Sequence, residues 1–178
     1  MTQNTLTKWL IDTGHSQVQF KVKHLAIANV AGTFKMFKGE VQTINGDFGD
    51  AKVSCIIDAA SIDTNNERRD NDLRSQDFFN TAQFPEIIFE GQLIKKDNTY
   101  ELAGNLTIRG IVRHAVMAAQ YTGAGKGRFG DSRAGFEITG KVNRKDFGLS
   151  WNLLTETGSF VIGEEIKLSF DIELILQA

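Results

Sequence analysis

The sequence predicts an all-β protein of about eight antiparallel strands, interrupted by one short helical insert. Apolar and polar residues alternate along several segments, which is the pattern of strands with one buried and one solvated face. Glycine is frequent, with 17 residues, whereas proline occurs once, so strands joined by turns are favoured over helices. Residues 61–89 depart from this pattern because they are polar, highly charged and end in aromatic side chains.

The strands follow from the period-two alternation. Residues 17–24 form the first clear strand, where Val18, Phe20 and Val22 alternate with polar neighbours. Residues 164–176 form the last strand and show the same alternation over a longer stretch. The other predicted strands lie at residues 33–41, 51–58, 86–94, 100–109, 114–121 and 135–143.

Two dipeptides, Asn45-Gly46 and Asp97-Asn98, mark tight turns between these strands. Long antiparallel strands with one apolar face must pair as a sandwich or close into a barrel. Closure of about eight strands leaves an interior that side chains fill or that holds one small ligand. Periodicity alone does not separate these architectures.

The polar segment predicts a helical insert over about residues 63–80. Asp63 or Thr64 is the candidate N-cap, and mixed charges follow at helical spacing as far as Arg74. Pro85 then ends any helix and returns the chain to an extended conformation. We therefore expect a short helical cover at one end of the β structure, with its aromatic residues facing inward.

Arg68, Arg69 and Arg74 are the cations of this insert, and they lie beside its aromatic end. Salt bridges to the neighbouring carboxylates Glu67, Asp70 and Asp72 are the expected pairing. The alternative is that one arginine holds the polar head of a ligand at a pocket entrance.

Length and charge limit the classes of function. The 178 residues fit a single domain over residues 1–178. A net charge of −2 is no basic footprint, so neither nucleic acid nor an anionic membrane surface is expected as the primary partner. No apolar run is long enough for a transmembrane segment, and no secretory leader is recognisable. The expected compartment is cytoplasmic, or periplasmic if a leader has been removed.

No residue pattern indicates catalysis. His15, His24 and His114 lack the spacing of a metal-ligand set, so no metal or cofactor is predicted. Ser16 follows His15 directly, and adjacent strand residues point to opposite faces, which excludes a nucleophile and base pair. Cys55 is predicted to be a small buried hydrophobic residue. We predict that the protein is not an enzyme.

Several sequence blocks follow one another along nearly the whole chain. They are Trp9-Leu10-Ile11-Asp12, Val30-Ala31-Gly32-Thr33-Phe34, Ser61-Ile62-Asp63-Thr64, Asp77-Phe78-Phe79, Phe84-Pro85, Gly104-Asn105-Leu106-Thr107-Ile108-Arg109-Gly110 and Arg144-Lys145-Asp146-Phe147-Gly148-Leu149. Their order and spacing resemble the YceI family, the lipocalin-like polyisoprenoid-binding proteins. Two positions depart from the family pattern, because Val112 and His114 stand where the family usually has Thr and Pro.

The resemblance implies an eight-stranded antiparallel lipocalin-like β-barrel with a short helical insert covering one end. It also implies a long apolar tunnel that takes a polyisoprenoid lipid, such as a prenyl quinone or its precursor. Many members are periplasmic, whereas this sequence shows no leader.

We predict that the tunnel is lined by the inward-facing residues of the strands, with aromatic residues at the covered end. His24 is the one polar member, bonding either a ligand head group or a nearby carbonyl. In a filled barrel the same side chains are simply core. The predicted ligand-binding residues are Phe20, Val22, His24, Phe34, Met36, Phe78, Phe79, Phe84, Phe89, Leu106, Ile108, Phe136, Ile138, Leu168 and Phe170.

Three functional hypotheses remain open on the sequence. The leading one is non-enzymatic binding, carriage or sequestration of a polyisoprenoid lipid. The second is a solid-core interaction or stress-response protein whose insert binds a protein partner. The third is an enzyme acting on a prenylated substrate. An exposed strand edge is also compatible with a homodimer.

Overall fold

The structure, a computed structural model, describes residues 4–158 and 161–178. Strands dominate the described residues, with one α-helix and two short 3₁₀ helices, Ala59–Ser61 and Arg144–Phe147. The strands and the helix are β1 Leu6–Ile11, β2 Gln17–His24, β3 Ala28–Phe34, β4 Phe37–Ile44, β5 Asp47–Asp58, β6 Ile62–Asp63, α1 Glu67–Arg74, β7 Glu86–Lys96, β8 Thr99–Ile108, β9 Ile111–Lys126, β10 Ser132–Asn143 and β11 Ile162–Leu176.

The sheet closes on itself as a barrel. Strands β1, β4, β5, β7, β8, β9, β10 and β11 are hydrogen-bonded in this order, each antiparallel to the next. Strand β11 also pairs with β1, which closes a barrel of eight strands. The predicted all-β lipocalin-like barrel is therefore confirmed, and a two-sheet sandwich is excluded.

Strand β11 is long enough to pair with two strands, β1 and β2, along the same edge. Its end pairs with β1, where Trp9 is opposite Leu176, and its earlier part pairs with β2, where Phe20 is opposite Leu168. Strands β1 and β2 are thus two segments of one wall. Strands β3 and β4 form the adjoining wall in the same way, because β2 pairs with β3 and β1 with β4.

The prediction of a continuous strand over residues 33–41 is wrong, because the chain breaks at Lys35 and Met36. The amide of Met36 donates to Ser61 Oγ at 3.0 Å, and its carbonyl accepts from the amide of Asp58 at 2.9 Å. These bonds to a distant segment replace the sheet ladder, and they turn the Met36 side chain into solvent. The sequence analysis also missed β1.

The helical insert is confirmed, but α1 is shorter than residues 63–80. Its N-cap is Asn66, whose side chain accepts from the amide of Arg69, and not Asp63 or Thr64. Asp63 belongs instead to β6, the short strand that pairs with β3. None of the described helices is long and apolar enough to span a bilayer.

One half of the barrel interior is filled by aromatic side chains. This is the end that carries the turns at residues 45–46 and 97–98, which join β4 to β5 and β7 to β8. Ring centroids lie 5.0 Å apart for Phe48 and Phe136 and 5.2 Å apart for Trp9 and Phe48. The aromatic cluster consists of Trp9, Phe48, Tyr100, Tyr121 and Phe136.

An ion-pair network joins three segments near the barrel seam. Arg133 of β10 donates to Asp12 Oδ2 at 2.7 Å, to Asp131 Oδ2 at 2.6 Å and to the carboxylate of Glu173. His15 Nδ1 lies 2.8 Å from the same Asp12 oxygen. The bond with His15, followed by that with Arg133, lowers the pKa of Asp12, and Arg133 lowers the pKa of Asp131. These carboxylates therefore stabilise the folded state when they are ionised.

The network predicts acid sensitivity. A carboxylate with a lowered folded-state pKa contributes stability above its unfolded pKa, near 4, and loses it as the pH falls through the folded value. We expect the free energy of unfolding to fall between about pH 5 and pH 2. The Arg133→Gln variant should show a smaller loss over that range, measured by urea unfolding. Lys95→Gln is the control and should lose as much stability on acidification as the wild type. If its loss were as small as that of Arg133→Gln, the assignment of the acid sensitivity to this network would be contradicted.

Candidate ligand-binding cavity

The half of the barrel opposite the aromatic cluster holds a cavity of about 530 Å³. Strands β2, β3 and β11 supply most of its wall, and the ends of β5, β7, β8 and β10 complete it. The insert and the described part of the β10–β11 loop, residues 144–158 and 161, lie over its mouth. A volume of this size falls within the range of small-molecule sites, roughly 300–1,000 Å³.

Most of the predicted tunnel residues line this cavity. They alternate with exposed neighbours along β2 and β11, as the period-two pattern requires. Whether they contact a ligand stays a prediction. The predicted residues that line the cavity are Phe20, Val22, His24, Phe34, Phe78, Phe79, Leu106, Ile108, Leu168 and Phe170.

The remaining predicted residues lie elsewhere. Phe89 and Phe136 are buried in the packed core, and Ile138 packs against it, so none of them lines the cavity. Phe84 covers Gly110, where an added Cβ would lie 2.9 Å from its ring. The prediction for Met36 is wrong, because this side chain is 62% exposed at the break between β3 and β4.

The sequence analysis missed the contribution of the β10–β11 loop. Phe147, Leu149 and Trp151 line the cavity, although this loop has no alternating pattern that would reveal its inward side. The available signal was the apolar content of residues 147–154, FGLSWNLL, outside any strand. Such content in a loop indicates side chains that need cover.

Two aromatic contacts hold the cover of the cavity in place. The rings of Phe78, from the insert, and Trp151, from the β10–β11 loop, lie 5.2 Å apart across the mouth. Phe79 contacts Phe34 edge to face at 5.9 Å, which fixes the insert to β3. Aromatic pairs of this geometry contribute about 0.5–1.5 kcal/mol each beyond the area that they bury.

Gly32 of β3 makes room for Phe20 on the neighbouring strand. The two residues are directly opposite in register, and a Cβ on Gly32 would lie 2.3 Å from the Phe20 ring. The far edge of the ring therefore lies over the glycine, at the wall of the cavity. Phe20 also contacts Phe34 at 5.6 Å, so this side of the wall is a continuous aromatic surface.

Arg144 is buried beside the cavity and holds the β10–β11 loop. Its Nε donates to the carbonyl of Gly163 at 2.8 Å, and Nη1 donates to Trp151 O at 3.0 Å and to Leu149 O. Burial lowers the pKa of Arg144, while the nearby charge of Glu164 opposes this shift. The guanidinium thus satisfies carbonyls of the β10–β11 loop and of the start of β11.

The arginines of the insert do not form the predicted salt bridges. Arg69 donates to Thr64 Oγ1 at 2.7 Å and to Thr64 O at 2.8 Å, and Arg74 donates to Ala60 O at 2.8 Å. Among the described residues, neither they nor Arg68 pair with a carboxylate. The two bonded arginines instead fix the insert to the backbone of the segment that precedes it.

Some of the polar groups near the cavity are engaged in structure, whereas Asp72 and Asp77 line it and are exposed to solvent. Asp70 is buried, and its Oδ1 accepts from the amide of Thr64 at 2.9 Å and from Thr64 Oγ1 at 2.5 Å. His24 lines the mouth but is exposed to solvent. Burial raises the pKa of Cys55 to about 11, so its thiol is a poor nucleophile near neutral pH.

Asp12, His15 and Glu173 bring potential metal-ligating atoms within 4.8 Å of one another. The guanidinium of Arg133 already donates to both carboxylates, so it supplies the positive charge at that place. Ser16 Oγ accepts from the amide of Glu173 at 2.9 Å, which engages it in the barrel seam. The cluster is explained as a structural network.

A closed eight-stranded antiparallel barrel with an apolar cavity under a helical cover belongs to the lipocalin-like class of folds. The family model of the YceI-like domain matches residues 9–174, and the chain belongs to this family. The predicted family is therefore confirmed.

Relatives and solved structures agree with this assignment. A UPF0312 protein of Staphylococcus epidermidis is 36% identical over 94% of this chain and 97% of its own length. The Campylobacter jejuni YCEI protein is 31% identical, covers both chains completely and superposes with a TM-score of 0.74.

Two more distant structures share the fold. Burkholderia cenocepacia BcnA is 19% identical and has a TM-score of 0.79 over 92% of this chain and 98% of its own. A polyisoprenoid binding domain from Saccharophagus degradans is 15% identical and has a TM-score of 0.67 over 95% of this chain and 98% of its own.

The role of Arg144 gives a stability prediction. Arg144→Met removes the donor from several carbonyls at once, and each buried polar group left unsatisfied costs about 1–3 kcal/mol. We expect the free energy of unfolding to fall by about 3 kcal/mol or more in urea titrations. Arg68→Met is the matched control and should change it by less than about 0.5 kcal/mol. Equal stability of the two variants would show that Arg144 does not hold the loop.

Proposed function

We propose that the protein binds a polyisoprenoid or a similar apolar amphiphile in this cavity, and that it carries or sequesters the molecule without transforming it. The observation that supports this proposal is the half-filled barrel. Aromatic side chains pack one half, whereas the other half surrounds about 530 Å³ with mainly aromatic and aliphatic residues. An apolar space of this size, with a covered mouth, suits an apolar ligand.

Desolvation of the ligand supplies the binding free energy. Each buried CH₂ group contributes about 0.8 kcal/mol, so ten of them give roughly 8 kcal/mol before ordering costs are subtracted. Apolar contacts are non-directional, so they select for shape and length more than for chemical detail. We therefore expect related prenyl chains to bind with similar affinity.

The depth of the cavity limits the tail of the ligand. Val18 and His24 both line it, and these positions on β2 lie about 20 Å apart along an extended strand. Beyond Val18 the interior is occupied by the aromatic cluster that includes Trp9 and Phe136. We propose that the tail of the ligand is short or folded, since the cavity does not extend through the whole barrel.

The comparisons support a lipid ligand at the level of the fold. The Saccharophagus degradans structure is described as a polyisoprenoid binding domain, and it shares this barrel at 15% identity. Among polyisoprenoids, we propose a prenyl quinone or its precursor as the candidate ligand. The cavity itself is the independent support, because it arises from residues of this chain.

The state of the polar groups supports a role without catalysis. Arg69 and Arg144, two of the charged side chains that line the cavity, are bonded to protein groups, whereas Asp72 and Asp77 line its covered end and are exposed to solvent. A catalytic acid or base must reach a bound substrate at hydrogen-bond distance. Charged groups that either hold the cover or face solvent suit binding better than turnover.

Organic extraction tests the proposal. Protein purified without detergent should yield a prenyl lipid on extraction, identified by mass spectrometry, and should take up an added prenyl quinone to saturation. An extract without lipid, combined with no saturable uptake, would reject the carrier and favour the hypothesis of an interaction protein. Turnover of a prenylated substrate that is lost in Asp70→Ala, with uptake intact, would favour an enzyme.

The two tryptophans allow uptake to be located within the barrel. Trp151 lies at the cavity mouth, whereas Trp9 is buried in the aromatic cluster. A bound prenyl quinone should quench the fluorescence of the Trp9→Phe variant, in which Trp151 is the reporter. The Trp151→Phe variant should be quenched much less, because its remaining indole lies in the filled half. Equal quenching of both variants would place the ligand elsewhere.

The Gly32→Ala variant tests whether steric pressure on the Phe20 ring reduces ligand affinity. The added methyl group overlaps the Phe20 ring, and the open space into which the ring can move is the cavity. We expect quinone affinity to fall by at least about tenfold, equivalent to about 1.4 kcal/mol. The double variant Gly32→Ala with Phe20→Leu should recover most of the affinity, because the smaller side chain leaves space. Failure of that recovery would mean that the loss has another cause.

A further inference from the structure

The turn between β2 and β3 presents apolar side chains to solvent beside the cavity mouth. Leu25 and Ala26 have positive φ angles of 53° and 59°, in a turn where Asn and Gly are usual. Ile27, the next residue, is 81% exposed. Non-glycine residues in this conformation cost stability, and an isoleucine at a turn tip buries nothing. The barrel therefore carries an exposed apolar tip that its own folding does not require.

The β10–β11 loop extends this apolar tip. The amide of Leu25 donates to Val161 O at 2.8 Å, and the amide of Val161 donates to Leu153 O at 3.0 Å. These bonds place Leu153 and Leu154, which are 55% and 64% exposed, next to the turn. Val161 also lines the cavity, so the exposed apolar surface is continuous with the cavity interior. Residues 25–34 and 149–155 contain no charged residue.

A row of lysines lies behind the apolar tip on the outer face of the barrel. Lys21 of β2 is opposite Lys167 of β11, which is opposite Lys141 of β10. All are exposed, and like charges directly opposite on neighbouring strands destabilise a sheet. Lys21 lies about 13 Å along the strand from Leu25. The row has a cost for folding, which indicates that it serves an external partner.

The surrounding charges leave this face positive. Lys141 pairs with Glu165 at 3.4 Å, and Lys145 pairs with Glu164 at 2.6 Å. Lys21, Lys23 and Lys167 have no carboxylate partner among the residues that the structure describes. The face is therefore basic in a protein whose net charge is −2.

We propose that the mouth of the barrel docks on a lipid bilayer that carries anionic head groups. The apolar tip, defined as Leu25, Ile27, Leu153 and Leu154, enters the boundary between head groups and acyl chains. The basic row, defined as Lys21, Lys167 and Lys141, contacts lipid phosphates. Basic residues near an anionic bilayer attract it, and apolar side chains anchor in it. This inference rests on the proposed function, because docking would let an apolar ligand enter the cavity without crossing water.

The charges favour a bilayer over a second copy of the chain. A two-fold symmetric contact through the apolar tip uses the same surface on both copies, which brings the two basic rows near each other. Such like charges repel, and the nearby carboxylates of Glu164 and Glu165 already pair with Lys145 and Lys141. A bilayer supplies the apolar depth and the negative charge together.

Vesicle flotation tests the proposal with the ligand-free protein. The wild type should float with vesicles of phosphatidylcholine and phosphatidylglycerol, and it should float less with pure phosphatidylcholine or at high salt. Ile27→Asp should weaken partition by at least about tenfold, because it places a carboxylate at the acyl boundary. Each of Lys21→Gln and Lys167→Gln should weaken it by about fivefold on the anionic vesicles.

The opposite end of the barrel supplies the controls. Phe129 is 90% exposed in the β9–β10 turn, so Phe129→Asp makes the same kind of change far from the mouth. It should leave partition unchanged, as should Lys95→Gln. Absence of vesicle binding, or equal losses in Phe129→Asp and Ile27→Asp, would overturn the proposal. So would a shift from dimer to monomer on Ile27→Asp with unchanged flotation, since it identifies a second copy as the partner.

Two readouts separate this proposal from the proposed function. Quenching of Trp151 by a prenyl quinone added in solution reports the cavity alone, and Ile27→Asp should leave it within about twofold. Quenching by quinone preloaded in anionic vesicles also reports docking, and Ile27→Asp should slow it at least about tenfold. No quenching in solution rejects the cavity as the site, whereas normal solution uptake with equal transfer rates for both proteins rejects docking.

Discussion

The pairing of β11 with β1 is the constraint on which the rest of the structure depends. Without it the sheet would have two open edges and no enclosed interior. The pairing covers only the end of β11, from Leu174 to Leu176, while the earlier part pairs with β2. Both contacts are possible because the chain breaks between Asp12 and Ser16 and continues along the same wall. The barrel is thus closed because one long strand, β11, pairs with both β1 and β2, which are two segments of one interrupted wall.

The two halves of the interior differ because different side chains occupy them. Near the turns at residues 45–46 and 97–98, large rings such as Phe48 and Phe136 meet across the barrel and exclude space. Near the insert, the far edge of the Phe20 ring lies over Gly32, and the centre is open. The covering contact between Phe78 and Trp151 joins the insert to the β10–β11 loop, and both rings lie outside the barrel strands. The cavity therefore persists because its cover is held by ring contacts and by Arg144, rather than by sheet hydrogen bonds.

Period-two patterns were enough to predict which residues of a single strand face the interior. Phe20, Val22, Leu168 and Phe170 face the cavity because alternation sets the side of a strand on which a residue lies. Met36 was assigned to the wrong side because its break depends on hydrogen bonds to Ser61 and Asp58, which are distant in sequence.

The period-two alternation also could not predict whether the interior is filled or open, because that depends on how side chains of several strands pack together. The loop that carries Trp151 has no period to interpret, although its apolar content was a usable signal. A sequence motif can identify a family in such cases, but the position of each side chain follows only from the packing.

The net charge of the sequence, like the period-two pattern, does not reveal how residues from different strands are arranged. The net charge of −2 indicated no affinity for an anionic surface, because a net charge does not show where the individual charges lie on the surface. Sheet register places Lys21, Lys167 and Lys141 in one row, although these residues belong to three strands that are far apart in sequence. Glu165 lies beside this row, and screening over about 8–10 Å limits the influence of carboxylates that lie farther away. A surface partner responds to the local field, so the register of a barrel decides its electrostatics more than its composition does.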